Sequence, residues 1–515
     1  MVSIHLSDSQ IARVKSTASE IADDIHQFII NYSSDSVERT VLRLYGVDGV
    51  NEDGTPLPNK IVERAREQKV LENGISPWFA KAMIISKRDP QITAELIDRG
   101  EINPTLNFLI TPSDIHKKEA ELAQKAIGIL NQTKEQKRKK QEQTSLPPQP
   151  WRYIIVASGN IYEDRTQAES AVFSGADIIA VIRSTAQSLL DYVPFGPTTE
   201  GFGGTYATQE NFKLMREALD EAGEKHNRYI RLVNYSSGLC MAEIAACAAF
   251  EDLDILLNDS MYGILFRDIN MKRTFIDQHF SRLICSQADI IINTGEDNYL
   301  TTSDAIDAAH TVTASQLINE AMARKAGLPS RLMGLGHAFE IDPKVENAFL
   351  YELAHAQLAR QLFPEAPLKY MPPTKYKSTD VFQANCLDTM FNLASVTTKQ
   401  GIHLAGIPTE AIHTPLMQDR YQSLNNMNYV FNIAKNLGDE IEFKKDGLIA
   451  ERARTVLNET EQFLNSIKEQ GLMASISEGL FAGVKRYPDS GKGLEGVFKK
   501  APEYSNPLMD LLEKK

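Results

Sequence analysis

Eight short apolar runs in the middle of the chain constrain the fold more than any other feature of the sequence. They cover residues 153–160, 177–184, 229–237, 261–268, 288–297, 332–340, 367–371 and 401–407, and helical patterns separate them. Strands that are apolar along most of their length are typical of a parallel sheet covered by helices. The pattern predicts an α/β fold, and eight such units favour a (β/α)₈ TIM-type barrel over an open doubly wound sheet.

Helical patterns flank this middle region on both sides. Residues 7–32 and 113–132 have apolar positions at helical spacing behind capping residues, and amphipathic helix returns after about residue 415. Residues 133–150 are almost free of apolar side chains and end in three prolines, which predicts an exposed helix end or a linker. We therefore predict an N-terminal helical accessory region and linker over 1–150, a barrel over 151–415, and a C-terminal helical extension over 416–515.

Charge and cysteine content exclude several functional classes. A net charge of −13 argues against a nucleic-acid binder, which has to neutralise phosphates. The four cysteines form neither a CxxC pair nor a cluster with histidines, so no zinc site and no disulfide framework is predicted. The first residues do not resemble a signal peptide, and no apolar stretch approaches the ~18 residues of a membrane span. We expect a cytoplasmic protein that binds neither nucleic acid nor a membrane.

Polar residues follow the predicted strands, at the end where the reactive residues of a barrel collect. Because the carboxyl ends of all strands surround one mouth, we expect these side chains to converge on one site, with ordinary loop polarity as the alternative. The set comprises Ser158, Asn160, Arg183, Ser184, residues 234–237, Arg267, Asp268, residues 293–298, His337 and Lys369.

The stretch AVIRSTAQSLLDYVPFG, residues 180–196, predicts an anion site. The Arg183 guanidinium is a forked donor, and helix N-terminal amides with the Ser188 hydroxyl complete a set that suits a phosphate or a carboxylate. The alternative is that Arg183 pairs with Asp191 while the hydroxyls only cap a helix. The glycines between residues 196 and 204 match neither a Walker A loop nor a dinucleotide fingerprint.

Several of the other strand-end residues have two interpretations. Tyr262, in the same predicted strand as Arg267, either stacks on a planar ligand or packs in the core. Asp297 and Asn298 either hydrogen-bond a ligand or cap the next helix. Lys369 is either a Schiff-base lysine or a charge partner, and the second is favoured for an isolated lysine. For His337 in GLGHAFE, a packed histidine is favoured over an acid or base.

Five motifs carry a resemblance to a known family: VIRSTAQSLLDYVPFGPTTEGFGG, NYSSGLCMAEIA, NDSMYGILFRD, NTGEDNYLTT and LMGLGHAFE. They closely resemble the large (α) subunits of the lysine 5,6-aminomutase family, and the likeness covers essentially the whole chain. The resemblance implies a barrel with pyridoxal 5′-phosphate at its mouth and adenosylcobalamin bound mainly by a small β subunit. It also implies an α₂β₂ assembly in which the small subunit supplies the Schiff-base lysine, so that Lys369 becomes a substrate contact.

The resemblance also implies roles for individual residues. The residues near the coenzyme, from its phosphate to its pyridine ring and polar ring atoms, are Arg183, Ser188, Tyr262, Ser237, Arg267 and Asn298. Asp297 and Lys369 hold the amino and carboxylate ends of the substrate, and Tyr262 and Asp297 are the candidate catalytic residues.

The implied reaction moves the terminal amino group of D-lysine or L-β-lysine from C6 to C5, giving 2,5- or 3,5-diaminohexanoate. One alternative is a D-ornithine 4,5-aminomutase, in which we expect a cobalamin domain fused to the barrel. The sequence shows no intact cobalamin motif, because Arg282 stands where the closest match, DQHFSR, needs glycine. A noncatalytic barrel that only binds a small anion is the other alternative.

Overall fold

A closed parallel sheet lies at the centre of the chain. The computed structural model describes residues 4–106, 109–181, 185–296, 306–337, 339–372 and 375–514. The central strands run in the sheet order β7-β6-β5-β4-β3-β2-β10-β9-β8. Their bounds are β2 Trp151–Ile155, β3 Ile178–Ala180, β4 Arg231–Tyr235, β5 Ile255–Leu257, β6 Ile291–Asn293, β7 Met333–Gly334, β8 Gly336–His337, β9 Lys369–Tyr370 and β10 Ile402–Leu404. A separate antiparallel ribbon joins β1 Tyr32–Ser34 to β11 Val497–Lys499.

One segment closes the sheet into a barrel. The two outermost strands in the order, β7 and β8, are consecutive in the chain and are separated only by Leu335. Strand β7 pairs with β6, and β8 pairs with β9. Residues 333–337 therefore occupy a single position around the barrel, which has eight positions in all. The predicted (β/α)₈ fold is confirmed.

Helices cover the barrel and extend it at both ends. Their bounds are α1 Asp8–Asn31, α2 Asp35–Tyr45, α3 Leu57–Glu67, α4 Ile75–Ser86, α5 Pro90–Asp98, α6 Pro112–Gln143, α7 Ile161–Phe173, α8 Gln209–His226, α9 Met241–Phe250, α10 Ser260–Arg267, α11 Met271–Ala288, α12 Ala309–Lys325, α13 Ala348–Leu362, α14 Val381–Thr397, α15 Met417–Ile433, α16 Leu437–Glu440, α17 Leu448–Gln470, α18 Leu472–Glu478 and α19 Pro507–Glu513. The helical patterns at both ends of the sequence are confirmed, whereas the boundaries at 150 and 415 remain a proposal.

Alternation along the strands decides which side chains enter the barrel. The hydroxyls of Tyr153 in β2 and Tyr235 in β4 lie 3.4 Å apart across the interior. Tyr370 in β9 faces the helix layer, because its hydroxyl donates to Glu352 of α13 at 2.5 Å. Its neighbour Lys369 therefore points the opposite way, into the barrel.

The sequence prediction of a strand over 261–268 is wrong. The strand at this position of the barrel is β5, and residues 260–267 form α10 directly after it. Asp259 begins the helix, because its side chain accepts from the backbone N–H of Met261 at 3.1 Å. Tyr262 and Arg267 therefore lie on a helix at the barrel mouth rather than in the sheet.

The segment 133–150, predicted as an exposed helix end or a linker, contains the end of a helix that is not fully exposed. Helix α6 continues to Gln143, and Lys137 is buried although it belongs to the basic run. Its ammonium donates to the backbone oxygen of Leu253 at 2.6 Å, just before β5. Lys140 pairs with Asp220 at 2.7 Å and with Asp252 at 3.0 Å. These two lysines dock the helix on the barrel.

The terminal helices add a further layer outside part of the barrel. Helices α1 and α17 pack on α12, and α17 also packs on α13. Lys15 of α1 pairs with Glu320 of α12 at 3.1 Å. Among the described residues, none of the helices combines the length and hydrophobicity that crossing a membrane requires. The four cysteines are free thiols, of which Cys386 is exposed.

Candidate active site

Asp259 links the carboxyl ends of β4, β5 and β6 through its backbone N–H and its carboxylate. The backbone N–H of Asp259, after β5, donates to the hydroxyl of Ser237, after β4, at 2.9 Å. The Asp259 carboxylate accepts from the N–H of Gly295, after β6, at 3.1 Å. Ser237 and Asp259 are buried. Sequence reasoning missed Asp259, although an Asn-Asp-Ser run after a leucine-rich stretch is a helix-cap signal that points to it.

The turn that carries Ser188 packs against this group. Residues Thr185–Leu189 form a short 3₁₀ turn, and the backbone oxygen of Ser188 accepts from the N–H of Leu239 at 3.1 Å. A Cβ at Gly238 would lie 2.9 Å from the Cα of Ser188. Only glycine therefore allows the two backbones to approach this closely. As a result, Ser188 and Ser237 are both buried and lie on adjoining segments.

Helix α10 adds an aromatic ring and a cation to the same region. It contacts the Thr185–Leu189 turn, and the guanidinium of Arg267 donates to the Tyr262 hydroxyl at 3.0 Å. The Arg267 carbon Cζ lies 5.4 Å from the centre of the Tyr262 ring. Both side chains are half-buried, so the ring retains an accessible portion.

Lys369 reaches the site from the opposite side of the barrel. Its ammonium lies 3.5 Å from the backbone oxygen of Thr294, and the side chain is 2% exposed. Thr294 directly precedes Gly295, which Asp259 holds. Among the predicted residues, the structure therefore connects Ser188, Ser237, Tyr262, Arg267 and Lys369 through one set of contacts.

Four residues of the predicted strand-end set and site, Arg183, Ser184, Asp297 and Asn298, lie outside the described residues. Asp191, which the sequence offers as a partner for Arg183, lies among the described residues. Asp191 accepts from Arg39 of α2 and, at 2.7 Å, from Arg273 of α11. Burial opposes the ionisation of Asp191, but the two arginines outweigh it and hold the pKa of this carboxyl well below its usual range.

A second polar network links the ends of β5 and β6 to α11 and α12. Arg282 of α11 donates to Asn258 at 3.2 Å and to Asn319 of α12 at 2.7 Å. The Asn319 amide in turn donates to Glu296 at 2.8 Å. All four side chains are buried, and each has a hydrogen-bond partner within this network. The DQHFSR motif thus belongs to the packing of α11, where Arg282 is a structural donor.

The glycine-rich segment closes over the end of β2. The N–H of Gly201 donates to the oxygen of Gly159 at 2.8 Å, and a Cβ at Gly159 would lie 2.1 Å from the Gly201 oxygen. Thr205 accepts from the N–H of Gly159 at 3.0 Å. The glycines are therefore needed for close contact between two backbone segments.

His337 is a packed histidine that faces the helix layer. Its Nε2 lies 2.8 Å from the side-chain oxygen of Gln400, and its ring centre is 5.2 Å from that of Tyr370. Burial lowers the pKa of His337 to about 3, so the ring is neutral. Nearby, burial raises the pKa of Glu352 to about 7. Both groups lie between the sheet and α13, away from the mouth.

The chemistry of the donor set fits a planar anion. Two buried serine hydroxyls and a guanidinium can all donate hydrogen bonds to anionic oxygens, while the tyrosine ring offers an apolar face. An ammonium at the far side of the interior suits a carboxylate. Among the described residues, no group of histidine, cysteine and carboxylate side chains is arranged to hold a metal ion. These features suit pyridoxal 5′-phosphate with an amino-acid substrate beside it.

Comparisons with known proteins identify the family of the chain. Residues 4–511 match the family model of the D-lysine 5,6-aminomutase TIM-barrel domain of the alpha subunit. The chain is 50% identical over 509 residues to the lysine 5,6-aminomutase alpha subunit of Acetoanaerobium sticklandii, covering 99% of this chain and 98% of the relative. The alpha subunit from Fusobacterium nucleatum is 51% identical over 503 residues, covering 98% and 97%.

A more distant relative extends the comparison. The D-ornithine 4,5-aminomutase subunit beta of Acetoanaerobium sticklandii is 26% identical over 378 residues, which cover 70% of this chain and 51% of that protein. The family model and the two alpha subunits cover nearly the whole chain, and this coverage establishes its family. The chain belongs to the family of lysine 5,6-aminomutase alpha subunits and is, like them, part of an aminomutase.

Proposed function

We propose that the chain is the large subunit of an enzyme that moves the terminal amino group of D-lysine or L-β-lysine from C6 to C5. The observation that carries the proposal is 50–51% identity to two lysine 5,6-aminomutase alpha subunits over nearly their whole length. The ornithine enzyme is favoured less, because its subunit shares 26% identity over 70% of this chain. A noncatalytic anion-binding scaffold is disfavoured by the same full-length similarity.

Pyridoxal 5′-phosphate and adenosylcobalamin are the proposed coenzymes. When bound, they supply the radical and the stabilisation of the migrating nitrogen. We place the phosphate at the turn of Ser188 together with Arg183, and the pyridine ring against Tyr262. Ser237 and Arg267, with Asn298, are assigned to the polar ring atoms. The close approach of the segment after Ser237 to the Ser188 turn, and the contact of α10, which carries Arg267, with that turn, support this assignment.

The residues of this chain bind and orient the substrate. The ammonium of Lys369 is fixed in the barrel interior, where it binds the substrate carboxylate, and we assign Asp297 to the α- or β-amino group. Because Lys369 and the Ser188 turn lie on opposite sides of the mouth, their separation determines which substrate carbon lies at the reacting position. In the proposed assembly, the partner subunit closes the mouth and excludes water from this position.

A second chain completes the enzyme in this proposal. We infer a small β subunit that holds adenosylcobalamin, supplies the Schiff-base lysine and assembles with this chain as α₂β₂. The relatives' designation as alpha subunits supports the existence of a partner. Lys369 is buried against Thr294, which suits a fixed substrate contact more than a lysine that must exchange between imines.

Reconstitution tests the proposed function. The full chain is combined with its small partner, both coenzymes and either D-lysine or L-β-lysine, with D-ornithine as the control substrate. We expect diaminohexanoate only when both chains and both coenzymes are present. Turnover of ornithine alone would identify the enzyme as an ornithine aminomutase. The absence of any turnover would contradict the proposed activity.

Two substitutions link that activity to the site. Tyr262→Phe keeps the ring but loses the hydroxyl that Arg267 contacts, and Tyr262→Ala loses both. We expect Tyr262→Ala to lower coenzyme affinity at least ~10-fold, consistent with the loss of one stacked ring. Tyr429→Ala, which removes a tyrosine that is 66% exposed on α15, is the matched control and retains wild-type affinity. Equal affinities for all three variants would contradict the placement of the ring.

A further inference from the structure

Distant parts of the chain converge on Asp191, two residues after the turn that carries Ser188. Its carboxylate accepts from Arg39 of α2 and from Arg273 of α11. Its backbone oxygen accepts from the side chain of Asn59 in α3 at 2.9 Å. The N-terminal helices and α11 therefore hold one end of the Ser188 turn.

Arg273 also fixes the segment on the other side of Ser188. The same terminal nitrogen that binds Asp191 donates to the backbone oxygen of Leu239 at 2.9 Å. The N–H of Leu239 then donates to the backbone oxygen of Ser188 at 3.1 Å. One guanidinium thus controls the separation of two segments, one bearing Ser188 and the other bearing Ser237.

Contacts from several directions hold the guanidinium of Arg273 in one position. The side chain is 0% exposed, and its Nε donates to Asp277 at 2.7 Å. A terminal nitrogen also donates to the backbone oxygen of Gly493 at 3.3 Å. A Cβ at Gly496 would lie 2.4 Å from that nitrogen, so the C-terminal segment encloses the guanidinium. A buried charge held from several directions keeps its acceptors in fixed places.

We propose that Arg273 and Asp191 are positioning residues for the phosphate subsite, which hold the Ser188 turn in place without touching the ligand. The inference rests on the proposed function, because it takes the bound anion to be the phosphate of pyridoxal 5′-phosphate. A guanidinium is required, since its forked donors reach acceptors on two segments at once, whereas a lysine ammonium is a compact point charge.

The test compares pyridoxal 5′-phosphate with pyridoxal, which has the same ring but no phosphate. The affinity for each is measured in the complete enzyme with its partner subunit, for wild type, Asp191→Asn and Arg273→Lys. We expect the affinity for pyridoxal 5′-phosphate to fall ~10-fold or more in both variants, while that for pyridoxal changes less than ~2-fold. The ratio of the two affinities is a readout that general loss of stability does not change.

Arg216→Lys is the matched control. Arg216 of α8 is also buried and pairs with Asp254 at 3.2 Å, but it lies by the amino ends of β4 and β5, away from the mouth. In Arg216→Lys, the ratio of the affinities for pyridoxal 5′-phosphate and pyridoxal should stay at the wild-type value. If Arg273→Lys does not fold, Asp191→Asn decides alone, because the Asp191 side chain is 34% exposed and tolerates an isosteric amide.

The outcomes separate the inference from the proposed function. Equal loss of both ligands, or an unchanged ratio in Asp191→Asn, overturns the positioning role. A wild-type enzyme that binds both ligands equally contradicts the phosphate subsite itself. A large wild-type ratio that Ser188→Ala abolishes and Asp191→Asn preserves refutes the positioning role alone and leaves the proposed function intact.

Discussion

Gly238 lies between Ser237 and Leu239 and determines how closely β4 approaches the Ser188 turn. Its φ of +153° is unusual for other residues, and a Cβ would lie 2.9 Å from two backbone atoms of Ser188. Backbone atoms cannot rotate away as a flexible side chain does, so the turn itself has to move. Because Gly238 has a hydrogen atom where alanine has a methyl group, the segments that carry Ser188 and Ser237 can lie side by side.

Gly238→Ala is therefore expected to damage the site more than the fold. The displaced turn should lower affinity for pyridoxal 5′-phosphate by at least ~10-fold in the assembled enzyme, which corresponds to ~1.4 kcal/mol. The measurement is equilibrium dialysis with the coenzyme. Gly128→Ala is the control, since its added Cβ would point from α6 into open space. Wild-type affinity in Gly238→Ala would show that the turn does not hold the coenzyme.

His403 of β10 provides a pH-dependent test of the core. Its ring lies 5.6 Å from the rings of Tyr370 and Phe431, and neither of its nitrogens has a hydrogen-bond partner within the described part of the chain. Burial lowers the pKa of His403 to about 3 from the ordinary 6.5. The folded protein therefore keeps this ring neutral at pH values where the unfolded chain binds a proton.

The sign of the effect follows from proton linkage. Because the folded-state pKa of His403 is lowered, the contribution of the neutral ring to the free energy of unfolding is complete above pH 6.5. It is lost as the pH falls toward 3. Lowering the pH from 6.5 to 5 should therefore reduce the free energy of unfolding by about 2 kcal/mol through His403. His403→Phe should remove this part of the slope in urea unfolding measured at several pH values. The exposed His413→Phe serves as control, and equal slopes for all three proteins would refute the prediction.

At the scale of elements, the region 252–268 shows what sequence patterns omit. The run MYGILFRD contains aromatic and branched side chains and predicts a strand, yet it forms α10, because Asp259 accepts from the Met261 N–H. The true strand, β5, has only three residues, too few for a periodicity to show. The other strand predictions overlap β2, β3, β4, β6, β7 with β8, β9 and β10.

Candidate site residues can be named from one sequence, but their connections cannot. The strand ends led to Ser237, Arg267 and Lys369, the predicted anion site led to Ser188, and Tyr262 was considered within a predicted strand, while the family resemblance includes all five. The links through Asp191 depend on α2 and α11, which are far away along the chain. Sequence spacing contains no information about such packing.

Helix α6 gives a prediction for an element that the sequence pattern assigns partly to a linker. The buried ammonium of Lys137 donates to the backbone oxygens of Leu253 and Ala288, at 2.6 and 3.4 Å, on the barrel. Lys137→Ala should lower the free energy of unfolding by about 2–3 kcal/mol, since it leaves buried acceptors without a donor. Arg138→Ala, one residue away and exposed, should change it by less than about 0.5 kcal/mol. Urea denaturation measures both, and equal effects would mean that α6 is not docked through Lys137.

At the scale of the whole molecule, the terminal helices complete the barrel on one side. In α12, 14 of 17 residues are buried, whereas α7, on another side, has 5 of 13 buried. The difference arises because α1 and α17 pack on α12. Thr460 of α17 donates to the backbone oxygen of His310 at 3.4 Å, and Lys15 of α1 pairs with Glu320. The barrel thus has a third layer there, which belongs to segments outside 151–415.

A fragment of residues 151–415 should therefore fail as an independent unit. Without α1 and α17, the outer face of α12 would expose apolar side chains to water, which favours association of partly folded chains. We expect the fragment to aggregate in sedimentation velocity runs and to lack the cooperative unfolding of the full chain. Adding the N- and C-terminal segments in trans should restore solubility if the missing contacts are the cause. A monomeric fragment with cooperative unfolding would show instead that the barrel is autonomous and that the terminal helices serve only the site and its assembly.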